Sequence, residues 1–105
     1  MEFKLTSDYS TKNNRWEVQL SGEVDIFGSV EFKASLIALT EKRECNLYID
    51  CSKLEYIDST GLGSLVAVLK RVKQYSGSIT LLNLHSNILK LFKITNLDKV
   101  FEIIE

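Results

Sequence analysis

The sequence predicts an α/β domain on a largely parallel sheet, and three features of the chain predict it. Segments of strand character alternate with segments of helical period, the polar stretches between them are short, and everything fits within 105 residues. A chain of that length forms one domain and buries roughly 60–70% of the surface it exposes when unfolded. Strands separated by helices call for right-handed crossovers that bring the strands parallel.

The elements follow in order. Phe3 and Leu5 mark a short first strand. Trp16, Val18 and Leu20 alternate with Glu17 and Gln19, the period-2 signature of a strand covered on one face and wet on the other. The polar stretch from Ser7 to Asn14, with Asn13-Asn14 in it, reads as the turn of an antiparallel hairpin. From Ser29 to about Lys42, Val30, Ala34, Ile37 and Ala38 share one helical face, which Phe32, Leu36 and Leu39 broaden. Leu47-Tyr48-Ile49-Asp50-Cys51 is too brief for a helix and rich in strand formers, so it reads as a central strand buried on both faces.

The clearest helix comes next. Leu62, Leu65, Val66, Leu69, Val72 and Tyr75 recur at spacings of three and four, with Lys70, Arg71, Lys73 and Gln74 on the other face. Its cations sit near the C-terminus, where they complement the dipole, and Gly77 fits a C-terminal cap; the helix is expected to start near Ser59 and stop before Gly77. Ile79 to Asn83 reads as a third interior strand. Ser86 fits the cap of a last helix carrying Ile88, Leu89 and Phe92, which Thr95-Asn96 breaks. Leu97, Val100, Phe101, Ile103 and Ile104 form an apolar tail expected to dock as a turn and an edge strand.

Composition narrows the function. Thirteen basic against fourteen acidic residues supply no positive field for nucleic acid. No apolar run approaches the ~18 residues of a membrane span, so no direct membrane insertion is expected. The start, Met1-Glu2-Phe3-Lys4-Leu5, lacks the basic and long apolar regions of a secretory signal, so the cytoplasm is expected. There, Cys45 and Cys51 read as two reduced thiols. One histidine and no Cys-x-x-Cys give no convincing metal site, and no cofactor is expected. His85 reads as a loop residue. With no phosphate-cradling loop, no paired nucleophile and base and no paired carboxylates in one loop, the chain does not read as an enzyme.

One stretch stands out. Tyr56-Ile57-Asp58-Ser59-Thr60-Gly61-Leu62-Gly63-Ser64-Leu65-Val66 places two hydroxyls, directly after an acid, where a strand hands over to a helix. A helix start leaves N–H groups unpaired and carries the positive end of the dipole, which favours an oxyanion there by ~0.3–1 kcal/mol. Taken alone, Ser59 is best explained as a helix cap. Thr60 is a second hydroxyl within reach, and Asp58 is either a cap or a group that orients a hydroxyl. Gly61 and Gly63 each cost ~1 kcal/mol inside a helix, so they point to a close approach by another backbone, whether a partner's or a neighbouring strand's.

Four patterns occur in order: Ser21-Gly22-Glu23-Val24-Asp25, Leu47-Tyr48-Ile49-Asp50-Cys51-Ser52, Tyr56 to Gly63, and Ile94-Thr95-Asn96-Leu97-Asp98-Lys99-Val100-Phe101. Together they resemble a STAS domain over nearly the whole chain. The resemblance is closest to the single-domain anti-sigma factor antagonists of bacteria, in which a strand-loop-helix Asp-Ser-x-Gly-Leu-Gly carries a regulatory phosphorylation; Asp58 to Gly63 matches it in full.

The resemblance implies a four- or five-stranded mixed, largely parallel sheet with helices mainly on one face. It also implies a noncatalytic partner switch. Unphosphorylated, such a domain captures a serine-kinase anti-sigma factor of GHKL-type ATP fold, which frees the sigma factor; the kinase reverses this by phosphorylating Ser59, and a metal-dependent serine phosphatase resets it. ATP and magnesium belong to the partner. Asp25, Asp58, Thr60, Gly61 and Gly63 would join the partner surface, with the Asp25 loop near the Ser59 helix. The competing role is a STAS accessory subunit of a membrane lipid-transport ATPase complex, where Ser59 or Thr60 would be structural. The chain departs from the family at Ile26-Phe27-Gly28-Ser29, a large aromatic and a glycine before the first helix. A second departure, Cys51, stands where an aliphatic is usual and is sufficiently explained as a small buried hydrophobe.

Overall fold

The computed structural model describes residues 2–105, and over them the chain builds one five-stranded mixed sheet in the order β1-β2-β3-β4-β5. An antiparallel hairpin opens it: β1 (Phe3–Ser10) runs against β2 (Arg15–Val24), from the pair Phe3 and Gly22 to the pair Ser10 and Arg15. The polar residues Ser7 to Ser10 are thus strand and not turn. They lie at the turn end of an edge strand, where Ser7 and Asp8 face solvent and leave no apolar alternation to read. Tyr9 still packs edge-on against Trp16, ring centroids 5.5 Å apart, and its hydroxyl donates to the Asn14 side chain. Asn14 turns the chain at φ +50°.

Helix α1 (Ser29–Lys42) crosses to β3 with Phe32, Leu36 and Leu39 inward, together with Ser29 and Thr40. The face expected from Val30, Ala34 and Ala38 is the wet one; Val30 is 78% exposed. Two apolar stripes competed, and the larger side chains took the core because burial is favoured in proportion to apolar area.

Strand β3 (Asn46–Ile57) runs parallel to β2 and to β4 and is far longer than its apolar start suggested. Register shifts between Gln19 and Ser21 and between Gly22 and Glu23 carry its pairing with β2 to the pair Ile57 and Val24. Nor is it buried on both faces. Leu47, Ile49, Cys51, Leu54 and Ile57 point to the core, while Tyr48 and Asp50 remain half-buried on the opposite face. Each parallel strand lies next to its predecessor in one direction across the sheet, so right-handed crossovers put all three helices on one side and leave the other open.

Helix α2 (Ser59–Lys73) buries Gly61, Leu62, Leu65, Val68, Leu69 and Val72, with Val68 in the place expected for Val66. Beyond it, Ser76 and not Gly77 takes the left-handed conformation, at φ +63°. Gly77 is required for space, since a Cβ there would lie 2.8 Å from both Tyr75 and Val72. Strand β4 (Ile79–Leu82) leads to α3 (Ser86–Ile94), whose cap position is His85; Ser86 is its first helical residue and caps nothing. Phe92 of α3 meets Phe101 edge-on at 5.7 Å, anchoring the 3₁₀ turn Leu97–Lys99 and the edge strand β5 (Glu102–Ile104), parallel to β4.

The first turn of α2 sits directly on the ends of β2 and β3. A Cβ on Gly61 would lie 2.7 Å from Ile57 Cγ1 and 2.9 Å from the Val24 carbonyl oxygen, whereas one on Gly63 would meet nothing within 4 Å. Gly61 therefore answers to neighbouring strands and Gly63 to no group of this chain. Gly61→Ala is expected to cost about 1–3 kcal/mol in urea unfolding. Gly63→Ala is expected to be neutral or to stabilise by up to about 1 kcal/mol; equal losses at both positions would contradict this packing.

Candidate functional site

The carboxyl ends of β2 and β3 lie side by side, and each leads into a helix through a short loop held by an aspartate. After β3, Asp58 is the N-cap of α2 in extended conformation. Its Oδ1 accepts from the Thr60 hydroxyl at 2.6 Å and the Gly61 N–H at 3.0 Å, and its Oδ2 accepts from the Ile26 N–H at 3.1 Å. Its own N–H donates to the Val24 carbonyl at 3.2 Å. The Thr60 hydroxyl above all, then the Gly61 N–H and the Ile26 N–H, hold this carboxyl below the usual carboxylate range. Asp58 is thus the cap.

That assignment separates the two hydroxyls. Thr60 is half-buried and tied to Asp58. Ser59, the first residue of the helix, is exposed, and its hydroxyl has no hydrogen-bond partner among the described residues. No acidic residue occupies the first turn itself, and the Asp58 cap takes the Gly61 N–H, so an oxyanion on Ser59 would share the dipole of α2 with the Asp58 carboxylate.

After β2, Asp25 shapes the other loop. Its Oδ1 accepts from the Phe27 N–H at 3.0 Å and the Gly28 N–H at 3.2 Å, and its carbonyl accepts from Gly28 and Ser29. Asp25, expected on the partner surface together with its loop, is 3% exposed and turned inward to the backbone it holds, so the loop reaches the surface and its carboxylate does not. What the loop presents is apolar. Ile26 is 61% and Phe27 90% exposed, with Val30 beside them on α1. Composition hid this, because an exposed phenylalanine and a buried one read alike until the two flanking carboxylates are seen to fix the turn. Ser64 Oγ donates to the Ser29 carbonyl at 2.9 Å, fastening α2 to the start of α1. Ser59, exposed Gly63 and the Ile26-Phe27 loop therefore form one rim, with Asp58 and Thr60 in it and Gly61 beneath.

Other chemistry-bearing residues lie apart. A cleft of about 420 Å³ crosses the open sheet face between Thr6, Arg15, Tyr48 and Asp50. The Arg15 guanidinium there sits 3.5 Å over the Tyr48 ring and is paired with Glu17, so its charge is already matched. His85 Nε2 lies 2.7 Å from the Ser52 carbonyl and fastens a loop to β3. Cys45 and Cys51 are free and buried, and burial pushes the Cys51 thiol up to about 12, which leaves it unreactive. Among the described residues no three His, Cys, Asp or Glu side chains gather as a metal site, and no helix is long and apolar enough to cross a membrane.

The sheet order, the strand-loop-helix at Asp58 and the free hydroxyl of Ser59 define a class: residues 9–105 match the STAS domain, and the chain belongs to that family. It is 34% identical over 99 residues to the anti-sigma-B factor antagonist of Bacillus subtilis (strain 168), covering 94% of this chain and 90% of that one. Identity to the anti-sigma-B factor antagonist of Staphylococcus aureus (strain NCTC 8325 / PS 47) is 29% over 101 residues, covering 96% and 94%. Among solved structures, the unphosphorylated anti-sigma factor antagonist SpoIIAA shares the fold with a TM-score of 0.75 at 17% identity, over 97% of this chain and 88% of that one. The phosphorylated form of Bacillus SpoIIAA shares it with a TM-score of 0.70 at 19% identity, over 99% and 92%.

Because Asp58 titrates lower in the folded chain than in the unfolded one, its contribution to stability is complete above the ordinary Asp pKa of ~3.9 and is lost as pH falls through the lower folded value. Asp58→Asn is therefore expected to reduce the urea midpoint near neutral pH and to converge with the parent chain as pH falls below the lowered folded pKa of Asp58. A difference that stays constant across that range would contradict the charged cap.

Proposed function

We propose that this chain is an anti-sigma factor antagonist: unmodified, it captures a serine-kinase anti-sigma factor, and phosphorylation of Ser59 by that kinase releases it. The observation that carries this reading is the asymmetry of the two hydroxyls, with Thr60 held by Asp58 at 2.6 Å and Ser59 exposed. The names of the relatives support the partner class, and no observation favours the transport-subunit role.

The chain supplies only the acceptor. In the transfer, Ser59 Oγ forms a bond to the γ-phosphorus of ATP bound by the kinase, the bond to the ADP oxygen breaks, and the hydroxyl proton passes to a base of the kinase. Catalysis, nucleotide and magnesium are the partner's. A metal-dependent serine phosphatase returns the hydroxyl by hydrolysis, and the cycle runs in the cytoplasm.

Two effects of the phosphate oppose each other. It adds about −1.5 to −2 charges at a helix N-terminus, where the dipole favours it, so the fold survives. The same charge beside Asp58, on a surface that a partner must dry, brings repulsion and desolvation of several kcal/mol. At ~1.4 kcal/mol per tenfold, affinity falls by a factor of a hundred or more. Ile26 and Phe27 supply the apolar contact of the unmodified state, and an aromatic held out on a fixed turn suits the centre of an interface. Asp25 takes part through the turn it shapes, and Gly63 by leaving room for the partner's backbone.

Chains carrying Ser59→Ala and Ser59→Asp, used side by side to capture proteins from the native cell's extract, are expected to differ: the first retains a GHKL-type serine kinase and the second loses it. Phe27→Ala in the Ser59→Ala chain is expected to lower that retention at least about tenfold without changing the fold, the size of effect typical of a central aromatic. Equal retention by the Ala and Asp chains would refute the switch, and a transport ATPase held by both would assign the competing role.

A further inference from the structure

We infer that Asp58 is the positioning residue through which charge on Ser59 reaches the Ile26-Phe27 loop, so that phosphorylation loosens the apolar contact as well as adding charge beside it. The inference rests on the reading of Ser59 as the phosphoacceptor. It starts from how unequally the bonds of Asp58 are placed. Those on Oδ1, from Thr60 and Gly61, lie within the first turn of its own helix; the one on Oδ2, from Ile26, spans 32 positions to a separate loop.

A carboxylate that accepts three donors depends on its full charge for all of them. A phosphate on the next residue places like charge beside it and competes for the same helix N-terminus. The Oδ1 bonds are held in place by α2 itself. The Ile26 bond is held by nothing but the carboxylate, and Ile26 is 61% exposed, so water can replace Asp58 as its acceptor. The strand end stays anchored through the Asp58 N–H and the Val24 carbonyl, and Asp25 keeps its own bonds to Phe27 and Gly28. The turn therefore keeps its internal shape and the Ser64 Oγ bond at Ser29, and loses the bond from Ile26 to the cap of the phosphorylated helix.

The test needs no kinase. The full chain is prepared with serine or with phosphoserine installed at position 59 during synthesis, each with Asp58 or with Asp58→Asn, and amide hydrogen exchange is followed residue by residue. Asparagine keeps one acceptor oxygen for the cap, but its Nδ2 only donates and cannot accept the Ile26 N–H, so in the Asp58→Asn chain that bond is already absent and the phosphate has none to weaken. Phosphoserine is expected to speed exchange at the Ile26 amide by about tenfold in the Asp58 chain and by less than about twofold in the Asp58→Asn chain, with the Phe27 and Gly28 amides little changed in either. An unchanged Ile26 amide, or an equal change in both backgrounds, would overturn the inference. Should the Asp58→Asn chain fail to fold, the two Asp58 chains still decide: no acceleration at Ile26 refutes the relay. Since the phosphate is installed directly, this result is independent of whether the captured partner is a kinase.

Discussion

The carboxylate of Asp58 holds three donors, two in the first turn of α2 and one in the loop before α1, which belong to different crossovers of the sheet. Without it, α2 would start with an unsatisfied turn, the loop before α1 would lose its bond to α2, and Thr60 would have a hydroxyl as free as that of Ser59. The bond is short-range chemistry, but it depends on long-range order. Parallel pairing of β2 and β3 up to Val24 and Ile57 brings Ile26 beside Asp58, and Gly61 lets the helix start press onto both strand ends. Functional loops gather at the carboxyl ends of adjacent parallel strands in open α/β sheets, and this site follows that rule.

A pattern of this kind separates roles that look identical in the sequence. Asp25 and Asp58 are both acids at strand ends, yet one is buried as the brace of a turn and the other caps a helix at the rim. Ser59 and Thr60 are adjacent hydroxyls, and the cap engages only the second. Gly61 and Gly63 both stand near the start of α2; the first is required by Val24 and Ile57, the second faces open space. Each pair divides into a residue that builds the site and a residue that the site leaves available.

Much of this was legible before the structure. Strand and helix order, the start of α2 at Ser59 and the apolar tail followed from periodicity, because long segments with one buried face carry a strong period. The misses have physical causes. In α1 two apolar stripes of similar length competed, and only packing shows that Phe32 and Leu36 win over Val30 and Ala34. The turn end of β1 carries only Tyr9 as an apolar contact, since an edge strand can pair without a core. The length of β3 depends on register shifts in β2 that leave no mark of their own. Ser76 adopts the left-handed turn while Gly77 stands where Tyr75 and Val72 close in, a crowding that residue type alone does not reveal. At the site, residue types were readable from the Asp58 to Gly63 motif, but the division of labour among them required geometry.

The distinction between Ser59 and Thr60 is the point on which the functional reading turns, and locating the phosphoryl group on the chain recovered from its own cells tests it most directly. Fragmentation mass spectrometry of the peptide containing both residues assigns the group to one oxygen or the other. Modification at Ser59 alone is expected, since its hydroxyl is exposed and that of Thr60 is held by Asp58. Phosphate on Thr60 while Ser59 remains unmodified would contradict the account.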